Sequence, residues 1–333
     1  DRAKASIFSG LVLTLVLAVI AAYLGAWFPV IGGPVFGIVI GMLVKATGFV
    51  RPGYGPGIIF SAKQLLQYAI ILLGAGLSLS DIMTTGSNSL VVMLGTLVVC
   101  LTAAWLLGKV MNISRNLTIL VGVGTAICGA SAIAAASPVI EAEEQEVAYA
   151  VSTIFLFNVM AVLLFPPIGR LLGLSQEAFG LWAGTAVNDT SSVVAAAYAY
   201  GSDAGIYATI VKLTRSTLII PVTLGLAALQ VRRSRKAQVR SERVDVKRLF
   251  PWFILWFLVA ALLNTAGLLP APVVAGATSL AKFLIVVALT AVGLSANFAR
   301  MAKTGLKPLF LGLLLWAIIA VASLVLQSWQ GLL

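Results

Sequence analysis

Three charged side chains stand where a charge is costly. Asp189 lies about eleven residues into an apolar stretch, and Arg215 a similar distance from the far end of the next one, so at ~1.5 Å per residue both come out near the middle of a hydrocarbon layer ~30 Å thick. Lys212 precedes Arg215 by three residues and shares its helical face. Charges at that depth face a partner, a cavity or a substrate. An Asp189–Arg215 pair is the simplest structural explanation, and it leaves Lys212 without a partner unless that side chain snorkels. The functional reading is an ion-handling site. In it Lys212 and Arg215 supply positive potential, and Asp189 is gate, counter-ion or coupling-ion ligand.

The sequence around Asp189 has a counterpart earlier in the chain. Residues 124–136 read GTAICGASAIAAA and residues 184–196 read GTAVNDTSSVVAA, aligned without a gap at an offset of 60. Gly124/Gly184, Thr125/Thr185, Ala126/Ala186, Ser131/Ser191, Ala135/Ala195 and Ala136/Ala196 are identical, so small polar residues match in register as well as alanines. Both segments have polar, poorly helical centres between apolar arms. An interrupted helix survives in a membrane only where protein or a wet cavity satisfies the freed backbone groups. Paired interruptions in related segments point to a transporter's binding site, and half-helix N-termini suit an anion. The expected substrate-binding residues are Thr125, Cys128, Gly129, Ser131, Asn188, Asp189, Thr190, Ser191 and Ser192, with Lys212 and Arg215. The bland alternative is small-residue helix packing, for which Gly33, Gly37 and Gly41 are the better candidates.

These segments belong to a chain that composition assigns to the membrane. Of 333 residues 60% are hydrophobic and 10% charged, with mean hydropathy +1.06, against about 25% charged in a soluble domain. Apolar stretches at 6–28, 30–44, 58–79, 87–108, 117–140, 147–168, 178–201, 204–231, 249–269, 273–296 and 305–330 predict an all-α polytopic membrane protein in one integral domain, 1–333. The first stretch reads as a retained helix rather than a signal peptide. With single crossings and the N-terminus inside, 18 of the 22 basic residues are cytoplasmic and none is outside. That follows the positive-inside rule, so the net charge of +11 reports topology and not nucleic acid. The basic loop 232–248, between segments 8 and 9, is then cytoplasmic and the C-terminus outside. It reads as a solvated, orienting loop before an anionic-lipid patch.

An echo between ILLGAGLSLSDI (71–82) and ALTAVGLSANFA (288–299) shares the triplet GLS and suggests an inverted repeat. Symmetry then favours nine crossings plus two re-entrant hairpins that enter from opposite sides and meet near the midplane, and charge favours eleven crossings. In the hairpin arrangement Arg170 moves outside.

The chain contains no histidine, which removes the commonest general base and metal ligand. Cys100 and Cys128 fall inside apolar segments and read as neither a disulfide nor a metal site. No metal and no cofactor is expected, and the absence of a GxGD motif and of a second midplane carboxylate argues against an intramembrane protease. Lys63, near a segment end, is expected to reach the interface. Lys282 lies deeper and has no evident partner. Asn158 and Thr214 could line a path or bond to a neighbouring helix.

GTAICGASAIAAASPVI (124–140), WAGTAVNDTSSVVAAA (182–197), IVKLTR (210–215) and AVGLSANFARMAKTGLKPL (291–309) resemble the bacterial YeiH-type sulfate exporter family. The resemblance covers nearly the whole chain and implies a multi-spanning protein of the bacterial inner membrane. Some members of that family carry His-Glu where this chain has Asn188-Asp189, and Gln in place of Ser192. A proton relay through an imidazole therefore does not carry over. The expected function is secondary transport of a small anion, sulfate or a related oxyanion or sulfonate, with Na+ or H+ as candidate coupling ion. A passive anion channel and a cation-coupled carrier of a small organic solute are the alternatives. The expected partners are the anionic solute and membrane lipid, with a homodimer left open.

Overall fold

The computed structural model describes residues 2–28, 33–237, 252–295 and 306–333. Among them every regular element is helical: α1 (Arg2–Trp27), α2 (Gly33–Ala46), α3 (Gly55–Phe60), α4 (Leu66–Gly74), α5 (Leu79–Val110), α6 (Arg115–Ala126), α7 (Ala130–Ala136), α8 (Glu144–Leu171), α9 (Gln176–Ala186), α10 (Thr190–Tyr200), α11 (Ser202–Thr217), α12 (Ile219–Ala237), α13 (Trp252–Thr265), α14 (Ala271–Leu294) and α15 (Leu306–Trp329). A short 3-10 turn, Pro52–Tyr54, precedes α3, and a π-helical turn, Ser61–Leu65, joins α3 to α4. Seven helical stretches are long and apolar enough to cross a membrane, and α2 and α13 are shorter apolar helices. The protein is therefore a multi-pass α-helical membrane protein. Residues 238–248 of the basic loop, with Arg300 and Lys303, lie outside the described residues.

Each of the eleven apolar stretches contains helix among the described residues, and local chemistry sets several of the helix ends. Ser78, Ser114 and Ser175 cap α5, α6 and α9, accepting the backbone N–H of Asp81, Leu117 and Ala178. Glu143 and Glu146 form a capping box at the start of α8. The glycine stripe on α2 does pack against a neighbour. A Cβ on Gly37 would come within 2.7 Å of Thr290 Oγ1, and one on Gly41 would collide with the Thr290 carbonyl of α14. With no side chain in the way, the two backbones approach closely and gain dispersion contact where lipid offers no hydrophobic drive.

Hydrogen bonds join the residues that flank each of the two interrupted segments. Ser114 before α6 donates to Glu146 at the start of α8 (2.6 Å), so the two ends of the α6–α7 unit lie side by side. At the α9–α10 unit Tyr200 Oη donates to the Leu174 carbonyl and Arg170 Nη2 donates to the Ala199 carbonyl (2.9 Å). The ring of Phe179 stacks on Tyr200 at 3.8 Å, and Gln176 Oε1 accepts the backbone N–H groups of Asp203 and Ala204. An unbroken helix over 178–201 would hold its ends ~35 Å apart at ~1.5 Å per residue.

Lys63 is exposed, as its position near a segment end predicts. Lys282, which has no evident partner in the sequence, finds one in the structure. It is exposed and donates to Ser202 Oγ (3.2 Å) at the α10–α11 corner.

Candidate functional site

Both related segments break at the same point. In the first, α6 stops at Ala126, Ile127 turns to φ −123° and Gly129 takes φ +69°, a left-handed conformation that favours glycine. In the second, α9 stops at Ala186, and Val187 and Asp189 are extended before α10 begins. The helical arms match bond for bond at the offset of 60. Thr125 Oγ1 donates to the Val121 carbonyl (2.7 Å) and Thr185 Oγ1 to the Leu181 carbonyl (2.6 Å). Ile127 N donates to the Val123 carbonyl and Val187 N to the Ala183 carbonyl.

The breaks free carbonyl oxygens at the C-terminal ends of α6 and α9, where the helix dipole is negative. Lys212 and Arg215, both fully buried on α11, are held against those ends. Lys212 Nζ donates to the Ile127 carbonyl (2.7 Å) and to the Val187 carbonyl (3.0 Å). Arg215 Nη1 donates to the Thr185 carbonyl, and its Nη2 to the Thr125 carbonyl (3.4 Å). Each cation thus joins equivalent carbonyls of the two segments. The expected Asp189–Arg215 pair is not formed. Asp189 instead caps α10, its Oδ2 accepting from Ser191 N (3.0 Å) and Ser191 Oγ. Its own N–H is held by Asn158 Oδ1 of α8 (3.1 Å). Lys212 remains within electrostatic reach of Asp189.

The expected site residues therefore divide by accessibility. Ser131 is exposed, and Asp189 and Thr190 are half-buried. Thr125, Cys128, Gly129, Asn188, Ser191, Ser192, Lys212 and Arg215 are buried. Asn188 Oδ1 and Arg215 Nε have no hydrogen-bond partner. The three accessible side chains all belong to the breaks or to the first turns of α7 and α10, where the free backbone groups are N–H donors. The carbonyl side of the crossing is filled by cations, and the amide side carries the more accessible side chains.

Sequence reasoning missed Thr185, although its equivalence to Thr125 points to it. It also missed α15. Thr185 Oγ1 lies 2.7 Å from Ser323 Oγ, which in turn accepts from Gln327 Nε2 (3.2 Å), so a buried polar row runs along α15 to the carbonyl that Arg215 holds. Its signal in the sequence is the four-residue spacing of Ser323 and Gln327 within an apolar helix.

The chain matches the family described as Conserved hypothetical protein 698 over residues 9–312. It is 45% identical to a UPF0324 membrane protein of Streptococcus pyogenes serotype M18 over 330 residues, 97% of each chain. A UPF0324 membrane protein of Fusobacterium nucleatum is 42% identical, covering 97% of this chain and 98% of its own. One from Streptococcus pneumoniae is 45% identical, with 97% of each covered. The chain belongs to the UPF0324 membrane protein family. A YeiH-type member fits that family, and the relatives' printed names say that they are membrane proteins and name no substrate. Within this UPF0324 protein the family match spans both interrupted segments and the α11 cations.

Proposed function

We propose that this UPF0324 protein is a secondary transporter, with its substrate site on the amide side of the two crossing breaks. The observation that carries the reading is the double bridge. Lys212 and Arg215 each bind equivalent carbonyls of the two segments, which holds two broken helices together inside an apolar protein. Broken helices paired in this way are the usual site-forming device of membrane carriers.

Both interrupted segments are read as re-entrant hairpins entering from opposite sides. The Ser114–Glu146 bond supports this for α6–α7, and the contacts of Tyr200, Arg170 and Gln176 support it for α9–α10. The seven long helices, with α2 and α13, then supply nine crossings. In this arrangement Arg170 is outside, the 232–248 loop is cytoplasmic, and the two segments with their following helices form an inverted repeat.

The proposed substrate is a small anion, sulfate or a related oxyanion or sulfonate. Around the breaks two cations face one carboxylate, and the amide side offers helix N-terminal N–H groups beside Ser131 and Thr190. Asp189 opposes an anion unless a proton or a bound cation neutralises it, so it is the coupling residue in this reading. Asn188 Oδ1, a buried acceptor without a donor, favours a cation as the coupling partner and keeps a cation-coupled organic solute as the second reading. The deciding experiment is uptake into proteoliposomes of labelled sulfate and a small sulfonate, with and without sodium and a pH step. Trans-stimulated anion flux supports the carrier reading. Flux of an organic solute but not of an anion supports the second.

A further inference from the structure

A crevice of about 680 Å³ lies between α5, α6 and α12, away from the amide side of the breaks. Its depth is walled by Leu101, Ile119, Val123, Val222, Leu226 and Leu229. One end is different. Lys109 and Arg115 line it, and the Lys109 ammonium sits 5.8 Å from the centroid of the exposed Trp105 ring. A tryptophan beside a basic residue at the end of an apolar helix is the composition of a membrane–water interface. Thr118 lines the wall one helical turn inward from Arg115, and its buried Oγ1 has no hydrogen-bond partner. Passing inward, the crevice therefore offers cations, then one hydroxyl donor, then hydrocarbon.

We propose that the crevice binds an anionic phospholipid. The phosphate lies at Lys109 and Arg115, an ester carbonyl accepts from Thr118 Oγ1, and one acyl chain fills the depth. The order of groups along the wall is the order along such a lipid. A small transported oxyanion does not fit the same chemistry, since the depth would strip its water and return no hydrogen bonds. The crevice is open on its α12 side because that helix lacks a side chain there. A Cβ on Gly225 of α12 would meet nothing within 4 Å, and Gly122 of α6, where a Cβ would lie 2.7 Å from Ala104 Cβ, lets α6 pack closely on α5 at the crevice wall. The site concerns the perimeter of the protein and stands whether or not the transport reading does.

Gly225→Leu tests it, since the new side chain enters the crevice and a helix interior gains a better helix former. Lipids extracted from the purified intact protein are measured by mass spectrometry. Delipidated protein is then titrated with phosphatidylglycerol or phosphatidylcholine while thermal unfolding is followed. The wild type should retain phosphatidylglycerol or cardiolipin above its share in the membrane, and phosphatidylglycerol should stabilise it more than phosphatidylcholine. Gly225→Leu should unfold no earlier than delipidated wild type and should lose both effects. Lys109→Gln should keep the lipid but lower the preference for the anionic headgroup about fivefold. The proposal is overturned if Gly225→Leu retains as much lipid as wild type, or if the two lipids stabilise the wild type equally. Conversion of a dimer to a monomer by Gly225→Leu would also overturn it, because the occupant would then be a second copy of the chain.

Discussion

Gly129 and Asp189 occupy the same position of the two related segments and touch each other: a Cβ on Gly129 would lie 3.5 Å from Asp189 Cβ. The segments thus cross at their breaks, and the residue on one side is a bare backbone while the other is a carboxylate. The contact leaves room for a methyl group, so the restriction at Gly129 is conformational, set by φ +69°.

Gly129→Ala should fold but lose stability by about 1–3 kcal/mol, the range for a residue forced into a sparsely populated region. Thermal unfolding in detergent measures this. An unchanged midpoint would mean that the break relaxes to another conformation.

Arg215→Ala should be far more damaging. It frees the Thr125 and Thr185 carbonyls in a buried site, at about 1–3 kcal/mol for each unsatisfied group. Arg215→Lys should recover only part of the loss, because one ammonium on a shorter reach cannot repeat the two-pronged bridge. Denaturation midpoints of the two variants give the comparison, and equal stability of Arg215→Ala and wild type would remove the bridge from the account of the fold.

Asp189→Asn should keep its fold, since asparagine caps a helix as well as aspartate does. It should retain substrate binding and change the sodium or pH dependence of flux. Asp189→Ala should lose the cap as well, about 1 kcal/mol. Anion flux by Asp189→Asn with its dependence on sodium and pH unaltered would deny Asp189 the coupling role.

Single cysteines at Asn112, Glu141, Gly173 and Asp203 separate the two topologies. With hairpins, the first two label from one side of the membrane and the last two from the other. With eleven single crossings, Asn112 and Glu141 label from opposite sides. A cysteine at Ser131 should react with a small polar thiol reagent faster than the fully buried Cys100 does.

The eleven apolar stretches are legible in the sequence because solvation by lipid leaves its mark on every residue of a helix. Both breaks are legible too, since glycine and clustered Ser, Thr, Asn and Asp weaken a helix locally. The partners of Lys212 and Arg215 are not legible. They bond to backbone carbonyls, which every residue carries, so no side chain announces them, and Asp189 is the obvious but wrong partner for Arg215. The direction of the two units is equally hidden, because Arg170 argues for one topology and the duplication for the other. The Ser202 partner of Lys282 is hidden in the same way, since the two residues lie 80 apart in the chain.

The four bridging bonds of Lys212 and Arg215 have a consequence for any motion of the protein. They reach equivalent carbonyls of the two segments, Thr125 with Thr185 and Ile127 with Val187. A rearrangement that exchanges the surroundings of the two segments leaves this set of bonds the same in both end states. An interaction of equal strength in two states shifts no population between them. In the proposed carrier the fastening would act as a neutral pivot, and a resting bias would come from residues where the segments have diverged. Trp182, stacked on Phe165 at 4.1 Å, against Gly122 beside the crevice is the largest such difference in volume, and in the proposed carrier it is there that a bias between two end states would be set.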